Sequence, residues 1–239
     1  MIPKIIHQIW LGPNKCPDIW MNTFRIDYIN KNPEYQYILW NEDNIDSLFN
    51  DFPTYRIVYD LESTYNGKSD ILRYLILYIH GGIYIDADSV WINEKSFDTL
   101  LEQVNDSNVF AGKNPDNFNS STRKEKKYKN TICGGVMGSS KNNPLMKLLI
   151  EGIENYIKIS KQNYIKKRMM HGVCELIGPL YLNRTIASQN ITIFPSIYFY
   201  PRSWHCISDC ELHTKIDLPI ESYTFQYGYS TNNLSEYIK

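Results

Sequence analysis

Short, almost continuously apolar segments alternate with amphipathic ones along the first part of the chain. Residues 4–11 (KIIHQIWL) are mostly apolar and stop at Gly12-Pro13, a pattern that predicts a buried strand. Aromatic residues at helical spacing over residues 20–28 predict a helix, and residues 35–40 predict a second strand. The order strand, helix, strand indicates a parallel sheet in an α/β fold.

The next periodic segment leads directly into a pair of aspartates. A helix is predicted to begin at Ser69, whose hydroxyl can cap the first turn, with Asp70 near the positive end of the helix dipole. Gly81-Gly82 should end this helix, because glycine accepts the left-handed conformation found at helix C-termini. Residues 83–85 then form a short strand that delivers Asp86-Ala87-Asp88.

The second half of the chain has a weaker pattern. Residues 114–130 are polar and rich in lysine, and we predict an exposed loop there. A glycine-broken strand is predicted over residues 132–138, an amphipathic helix over residues 145–157 and a strand over residues 191–194. We find no internal repeat and no linker, so we expect one domain over residues 1–239.

Composition narrows the class of protein. The net charge of -1 gives no global basic field, so we expect no nucleic-acid partner. The five cysteines are scattered and odd in number, unlike a secreted disulfide framework. The N-terminus does not resemble a signal peptide, and no apolar run approaches the ~20 residues of a transmembrane helix. We therefore expect a soluble, cytoplasmic chain; its Ile, Asn, Lys and Tyr bias suggests an AT-rich coding genome, viral or protist.

Asp86 and Asp88 are the strongest candidates for chemistry. Side chains alternate along an extended chain, so an Asp-x-Asp pair points both carboxylates to the same side. Two such hard oxygen ligands suit Mn²⁺ or Mg²⁺. A surface turn is the alternative for an isolated pair, but this pair follows a buried strand, where open α/β sheets bind ligands.

Several segments resemble the glycosyltransferase 32 group, which includes yeast-type initiating mannosyltransferases and capsular sugar transferases and is related to clostridial glucosylating toxins. The matching segments are Ile2-Pro3-Lys4-Ile5-Ile6-His7-Gln8-Ile9-Trp10-Leu11-Gly12, the strand ending at Trp40, Ser69-Asp70-x-x-Arg73, Gly81-Gly82-x-Tyr84-x-Asp86-x-Asp88 and, more weakly, residues 134–138, Asn143-Pro144 and Gly178-Pro179. The resemblance implies a GT-A fold with a Rossmann-like central sheet flanked by helices. It also implies transfer of a hexose from a UDP- or GDP-sugar to a glycan or protein hydroxyl, with retention of anomeric configuration.

The resemblance also implies roles for individual residues. Trp10 would stack on the nucleotide base, Asp70 and Arg73 would hold the sugar and diphosphate, and Asp86 and Asp88 would handle metal and sugar. A tryptophan face suits a base and an arginine fork suits phosphate oxygens. Core packing of Trp10, and an ion pair between Arg73 and Asp70, are the structural alternatives.

The remaining candidates follow from the same segments. The predicted substrate-binding set also includes His7, Leu11, Ser69, Gly134 and Gly135. His7 lies inside an apolar strand, however, and on its own pattern we interpret it as a core histidine.

The C-terminal segment departs from the family pattern. The family often ends in a His-rich, Ser-Trp-containing segment that completes the metal site, whereas residues 223–233 contain neither His nor Trp. We predict Gln226 as a third, neutral oxygen ligand in its place, with an Asn of this segment as the alternative.

Other chemistries have weaker support. His205, Cys206, Cys210 and His213 could form a zinc site, but their spacing is unusual and we favour free thiols or a local disulfide. The altered C-terminal segment leaves a non-catalytic nucleotide-sugar binding protein as an alternative function. A metal-dependent phosphohydrolase is a further alternative, disfavoured because the aspartate segment lacks an evident nucleophile or histidine cluster.

Overall fold

The structure is a computed structural model that describes residues 1–115, 131–186, 188–203, 218–230 and 234. Strands in these residues are β1 (Ile5–Ile9), β2 (Gln36–Trp40), β3 (Gly82–Ile85), β4 (Ser89–Trp91), β5 (Val109–Lys113), β6 (Ile132–Ser139), β7 (Thr192–Phe194) and β8 (Thr224–Gln226). The α-helices are α1 (Asp18–Asn22), α2 (Ile29–Lys31), α3 (Pro53–Leu61), α4 (Tyr65–Ile79), α5 (Asp98–Leu101), α6 (Pro144–Ile159), α7 (Lys161–Leu176), α8 (Pro179–Ile186) and α9 (Ser196–Phe199). A π-helical segment (Thr23–Tyr28) joins α1 to α2, and a 3-10 helix covers Ile45–Phe49.

A six-stranded mixed sheet forms the centre of the fold, in the order β2-β1-β3-β6-β5-β7. The predicted parallel arrangement is confirmed for β1, which pairs in parallel with both β2 and β3. It does not extend across the sheet, because β6 runs antiparallel to both of its neighbours, β3 and β5. A separate two-stranded ladder joins β4 to β8.

Both faces of the sheet are covered, as the alternation along β3 illustrates. Tyr84 belongs to a core that includes the buried residues of α3, α4 and α6, whereas Ile83 and Ile85 belong to a second core with Phe24 and Phe97. Since successive side chains of a strand point to opposite faces, the two cores lie on opposite sides of the sheet.

Most of the predicted elements are present, with small shifts at their ends. The strands predicted over residues 132–138 and 191–194 correspond to β6 and β7, and the helix predicted over residues 145–157 corresponds to α6. Gly81 follows the C-cap residue His80 of α4 and has a φ of 67°, which confirms its role in ending that helix. Of the loop predicted over residues 114–130, only 114 and 115 are described, and Asn114 is buried rather than exposed.

The predicted start of the helix before the aspartates was wrong. α4 begins at Tyr65, and its N-cap is Thr64, whose hydroxyl accepts a hydrogen bond from the Gly67 amide. Ser69 therefore caps nothing, and Asp70 lies in the second turn, away from the free amides of the helix N-terminus. Glycine at 67 conceals this start in the sequence, because glycine usually disfavours a helix interior.

Packing nevertheless explains why a glycine occupies position 67 within the helix. A Cβ at that position would lie 2.6 Å from the Glu62 side chain, so a larger residue would displace the buried carboxylate beneath the first turn of α4.

Two further helices, α7 and α8, were not predicted from the sequence pattern. None of the helices in the described part of the chain has the length and apolar character needed to cross a membrane.

Candidate active site

A cleft of about 860 Å³ opens at the carboxyl ends of β1 and β3. These two strands are parallel neighbours, so the residues that follow them, Trp10 and Asp86, come to the same edge of the sheet. The cleft brings together eight of the predicted ligand-binding side chains and both predicted glycines: Trp10, Leu11, Ser69, Asp70, Arg73, Asp86, Asp88, Gln226, Gly134 and Gly135. Its size lies within the range of small-molecule sites.

Asp86, Asp88 and Gln226 meet at the bottom of the cleft. Gln226 Nε2 lies 2.9 Å from Asp86 Oδ2 and 3.3 Å from Asp88 Oδ1. The other end of the same amide, Gln226 Oε1, is buried and has no hydrogen-bond partner among the described residues. Two carboxylates and an amide oxygen are a hard-oxygen donor set of the kind that Mg²⁺ or Mn²⁺ takes.

The β4–β8 ladder explains why a residue so distant in sequence reaches the aspartates. Ser89, directly after Asp88, pairs with Gln226 in antiparallel register. Beyond the ladder, the Tyr227 amide donates to the Asp88 carbonyl, and the Tyr229 amide donates to Asp88 Oδ2 at 2.7 Å. The C-terminal segment is therefore fastened to the second aspartate by both backbone and side-chain hydrogen bonds.

Two buried aspartates of the cleft have raised pKa values. Burial, and next the negative charge of Asp86, raise the pKa of Asp88 to about 7. Burial also raises the pKa of Asp70 to about 7, although the Arg73 charge opposes this shift. In the described residues no three His, Cys, Asp or Glu side chains cluster as a metal site, so a cation here would depend on the two aspartates and neutral oxygens.

Arg73 is buried yet borders the cleft. Its Nη2 lies 2.9 Å from Asp70 Oδ1 and 3.5 Å from Asp86 Oδ1, and its guanidinium stacks 4.6 Å over the Tyr84 ring. The predicted ion pair with Asp70 is therefore present, but it is an interior pair with side-chain exposures of 7% and 11%. Tyr84 in turn donates its hydroxyl to Asp86 Oδ1 at 2.7 Å, which links the arginine and the aspartate.

The two glycines of β6 leave room for these side chains. A Cβ at Gly134 would lie 2.1 Å from Arg73 Nη1, and a Cβ at Gly135 would lie 2.8 Å from Asp86 Oδ2. Both positions border the cleft, so the absence of side chains lets the charged groups pack directly against the strand. Any larger residue at Gly134 would have to displace the guanidinium.

Aromatic side chains form the upper wall of the cleft. Trp10 is half-buried, and its ring makes an edge contact with Tyr229 at 5.3 Å between centroids. Its Nε1 donates to the Asn14 carbonyl at 2.8 Å. Tyr229 also contacts Trp20, which stacks on Tyr227 at 4.7 Å. Trp10 thus retains an accessible surface at the cleft instead of being enclosed in the core.

His7 lies outside the cleft, contrary to its place in the predicted substrate-binding set. It is fully buried, accepts a hydrogen bond at Nδ1 from Trp40 Nε1 and donates from Nε2 to the Gly81 carbonyl. Burial lowers its pKa to about 4, so the ring is neutral near neutral pH. The interpretation of His7 as a core histidine fits this environment.

Several residues in or directly beneath the cleft were not predicted. Gln8 is buried beneath the floor, donates to the Asp86 carbonyl and accepts from the Tyr37 hydroxyl. Val173 and Cys174, from the end of α7, form part of the opposite wall. Only the alternation within β1 hints at Gln8, and no local motif indicates the α7 residues. His205, Cys206, Cys210 and His213, for which the sequence favoured free thiols or a local disulfide over a zinc site, lie outside the described residues.

Comparison with known proteins identifies the class. Residues 17–110 match the family model described as a glycosyltransferase sugar-binding region containing the DXD motif. The three relatives that follow are glycosyltransferases. An inositol phosphoceramide mannosyltransferase of Schizosaccharomyces pombe is 38% identical over 36% of this chain and 24% of that protein. An uncharacterized glycosyltransferase of Acanthamoeba polyphaga mimivirus is 42% identical over 38% of this chain and 37% of that protein.

A third relative is aligned over a wider range. The initiation-specific alpha-1,6-mannosyltransferase of Candida albicans is 24% identical over 91% of this chain and 61% of that protein. The chain thus spans about a quarter to three fifths of the length of these curated relatives.

Solved structures identify the same fold at low sequence identity. The PaToxG glycosyltransferase gives a TM-score of 0.53 at 20% identity, covering 79% of this chain and 70% of that one. The UDP-bound glycosyltransferase domain of the YGT toxin gives 0.53 at 10% identity, covering 81% and 79%. A glycosyltransferase involved in glycosylation of the PBCV-1 major capsid gives 0.51 at 11% identity, covering 98% and 100%.

The fold is therefore that of the GT-A glycosyltransferases. Residues 17–110 are thus similar to the glycosyltransferase sugar-binding region that contains the DXD motif, and this motif is here Asp86-Ala87-Asp88.

Proposed function

We propose that this chain is a metal-dependent glycosyltransferase that moves a hexose from a UDP- or GDP-sugar to a hydroxyl group of a glycan or protein acceptor, with retention of anomeric configuration. We further propose that residues 1–239 act as one catalytic domain. The observation that carries the proposal is the convergence of Asp86, Asp88 and Gln226 with Arg73 in one cleft, beneath the accessible face of Trp10.

The donor set at the floor fits a divalent cation. Asp86 and Asp88 would hold Mn²⁺ or Mg²⁺ together with Gln226 Oε1, which accepts no hydrogen bond from the part of the chain that the structure describes. A terminal amide offers an oxygen on one side and a nitrogen on the other, so Gln226 can supply a neutral ligand. When bound, the cation would neutralise negative charge on the donor diphosphate as the anomeric bond breaks.

The protein's own residues would bind and orient the donor. Arg73 would direct its fork toward phosphate or sugar oxygens, and Asp70 would fix the orientation of the guanidinium through the interior ion pair. Trp10 would offer its face to the base. Gly134 and Gly135 would leave room for Arg73 and Asp86 to pack against β6 and face the donor.

The choice of donor and acceptor is drawn from similar proteins. One structural neighbour is described as UDP-bound, which makes UDP-sugars one group to test. Two of the relatives are named mannosyltransferases, so mannose is the first sugar to test on either nucleotide. One of these acts, by its name, on inositol phosphoceramide, so hydroxylated lipid headgroups belong in the acceptor panel beside glycans and proteins.

Donor hydrolysis without an acceptor is the direct test. Purified protein is incubated with UDP- and GDP-hexoses in Mn²⁺ or in chelator, and the released nucleotide is measured. We expect release from one donor, dependent on the cation and absent in Asp88→Asn, with the exposed Asp51→Asn as the matched control. Binding without release would instead favour a non-catalytic nucleotide-sugar binding protein, and turnover of simple phosphate esters would favour a phosphohydrolase.

A further inference from the structure

Exposed apolar side chains are concentrated on one helical hairpin. Of the twelve large hydrophobic residues that are exposed in the described part of the chain, four lie within residues 159–170. They are Ile159 (72% exposed), Ile165 (43%), Met169 (82%) and Met170 (67%). Clustering of this kind, unlike single exposed residues, usually marks an interaction surface.

The same segment carries charge of one sign. Residues 158–174 contain five basic residues and no aspartate or glutamate, although the whole chain has a net charge of -1. The five are Lys158, Lys161, Lys166, Lys167 and Arg168. Lys158 lies near Glu154 and Arg168 pairs with Glu62, so the surplus of positive charge rests on the lysines at 161, 166 and 167.

Contacts on the inner side of α7 fix which face of the helix is turned outward. Tyr164 is fully buried, and Arg168 donates from Nε and Nη2 to the Glu62 carboxylate at 2.6 and 2.9 Å. Positions 164 and 168 share one helical face, so the residues opposite them face away from the protein. We define Ile165, Lys166, Met169 and Met170 as the outer face of α7; all four are exposed.

The outer face ends beside the cleft. Gly172 interrupts the helix with φ 72° and ψ 173°, and the next residues, Val173 and Cys174, form part of the cleft wall. A surface that binds the outer face would therefore lie close to the place where an acceptor must reach the donor sugar.

We propose that the outer face of α7 binds the surface of an anionic lipid bilayer and holds the cleft beside acceptors in that surface. This inference rests on the proposed glycosyltransferase function for its acceptor, but not for the binding itself. Ile165, Met169 and Met170 would enter the boundary between headgroups and acyl chains, while the lysine stems extend along it with their charges among the headgroups. A local basic segment can act in this way without a global basic field, because the attraction falls off within a Debye length.

The charge of residues 158–174 favours an anionic bilayer over a second copy of this chain. An apolar patch alone would suit either, but a run of basic residues without a single acidic residue complements an anionic lipid surface. A second copy of this chain would bring the same positive charges together and is disfavoured.

Vesicle sedimentation tests the proposal on the full chain. Phosphatidylcholine vesicles with and without phosphatidylserine are compared, at low and high salt, for the wild type, Met169→Ser/Met170→Ser and Lys161→Glu/Lys166→Glu. Ile220→Ser, which changes an equally exposed residue elsewhere, is the matched control. Because the substituted side chains are exposed, melting curves should confirm that all variants fold.

We expect the wild type to bind the anionic vesicles at least about tenfold more tightly than the neutral ones, and less tightly at high salt. Both double variants should lose about tenfold or more, and Ile220→Ser should match the wild type. Equal binding to both vesicles, no binding, or unchanged binding by the variants would overturn the proposal, as would concentration-dependent self-association abolished by Met169→Ser/Met170→Ser.

Two cross-checks separate this proposal from the proposed function. Asp88→Asn should keep vesicle binding, and Met169→Ser/Met170→Ser should keep donor hydrolysis in vesicle-free solution. Vesicle binding without any donor turnover in the wild type would count against the enzyme assignment alone, whereas turnover without vesicle binding would count against the outer face alone.

Discussion

The floor and the rim of the cleft hold their functional side chains in different ways. The floor, which we define as Arg73, Asp86, Asp88 and Gln226, is fixed by a network: Asp86 alone accepts from Tyr84 at 2.7 Å and from Gln226 at 2.9 Å. In the rim, defined as Trp10 and Tyr229, the side chains are held mainly by ring contacts: Tyr229 makes edge contacts with Trp10 and Trp20, and Trp10 donates one hydrogen bond to the Asn14 carbonyl. The backbone amide of Tyr229, and not its ring, bonds to Asp88.

This difference separates two tasks. Groups held by several hydrogen bonds on buried strands are preorganised for charge stabilisation, which depends on accurate placement. Aromatic faces at an opening contribute affinity that tolerates small changes of position. Substitutions in the floor should therefore affect turnover first, and substitutions in the rim should affect nucleotide affinity.

The largest effect is expected at the aspartates. Asp86→Asn and Asp88→Asn should each lower donor turnover on the order of 10²–10³-fold, because each removes one of the two anionic oxygen donors proposed for the cation. Both variants should fold, since Asn keeps the shape of Asp. Nucleotide release and melting curves measure the two properties, and near-normal release in either variant would remove the metal assignment.

Arg73→Lys should be the next most severe change. Lysine retains the charge but cannot reproduce a planar fork that faces Asp70 and Asp86 while stacking on Tyr84. We expect turnover to fall on the order of 10²-fold at saturating donor. Lys68→Arg, at a half-buried position of the same helix that does not border the cleft, controls for general effects on α4. Wild-type turnover in Arg73→Lys would show that the pair with Asp70 is only structural.

Trp10→Ala tests the rim. Stacking of a base on an aromatic side chain contributes on the order of 1–3 kcal/mol, which corresponds to roughly ten- to hundredfold in affinity. We expect UDP or GDP binding to weaken by that factor in calorimetry, with little change in the preference among sugars. An unchanged affinity together with a lowered melting temperature would mean that Trp10 is a core residue.

The smallest effect on catalysis is expected at Glu62, which packs against the first turn of α4 and does not border the cleft. Burial opposes ionisation of Glu62, but hydrogen bonds from Arg168 and Thr64 outweigh it and hold the pKa of this carboxyl below its usual value. A depressed folded-state pKa contributes stability above the unfolded pKa, near 4.5, and that stability is lost as the pH falls through the folded value.

Glu62→Gln should therefore cost about 1–3 kcal/mol of unfolding free energy at pH 7 and less at pH 3, with donor turnover within a few-fold of the wild type. Denaturant titrations at several pH values measure this difference. A stability gap that stays constant down to pH 3 would show that ionisation of Glu62 contributes nothing.

The floor was largely predictable from the sequence, because Asp86 and Asp88 lie on one short strand end and Arg73 lies on the preceding helix. Gln226 was predicted only through the family pattern, and the β4–β8 ladder that carries it there has no local signal. His7 entered the predicted binding set through the family resemblance, whereas its own position inside an apolar strand indicated the buried environment that it has.

Errors in the fold have similar physical causes. The start of α4 was placed four residues too late, because Gly67 resembles a helix breaker unless its close contact with Glu62 is known. The mixed direction of the sheet depends on pairing between β3 and β6, which are about fifty residues apart, and hydrophobic alternation does not specify strand direction. Local sequence patterns therefore carry no information about which strands pair when they are far apart in the chain.

The most direct test of the account is the coupling between cation and nucleotide. UDP and GDP binding is measured by calorimetry with Mn²⁺ and with chelator, for the wild type and for the Asp86→Asn/Asp88→Asn variant. If the floor holds a cation against the donor diphosphate, Mn²⁺ should tighten binding of one nucleotide by about tenfold or more in the wild type and leave the variant unchanged. Equal affinity in Mn²⁺ and in chelator, or the same tightening in the variant, would contradict it.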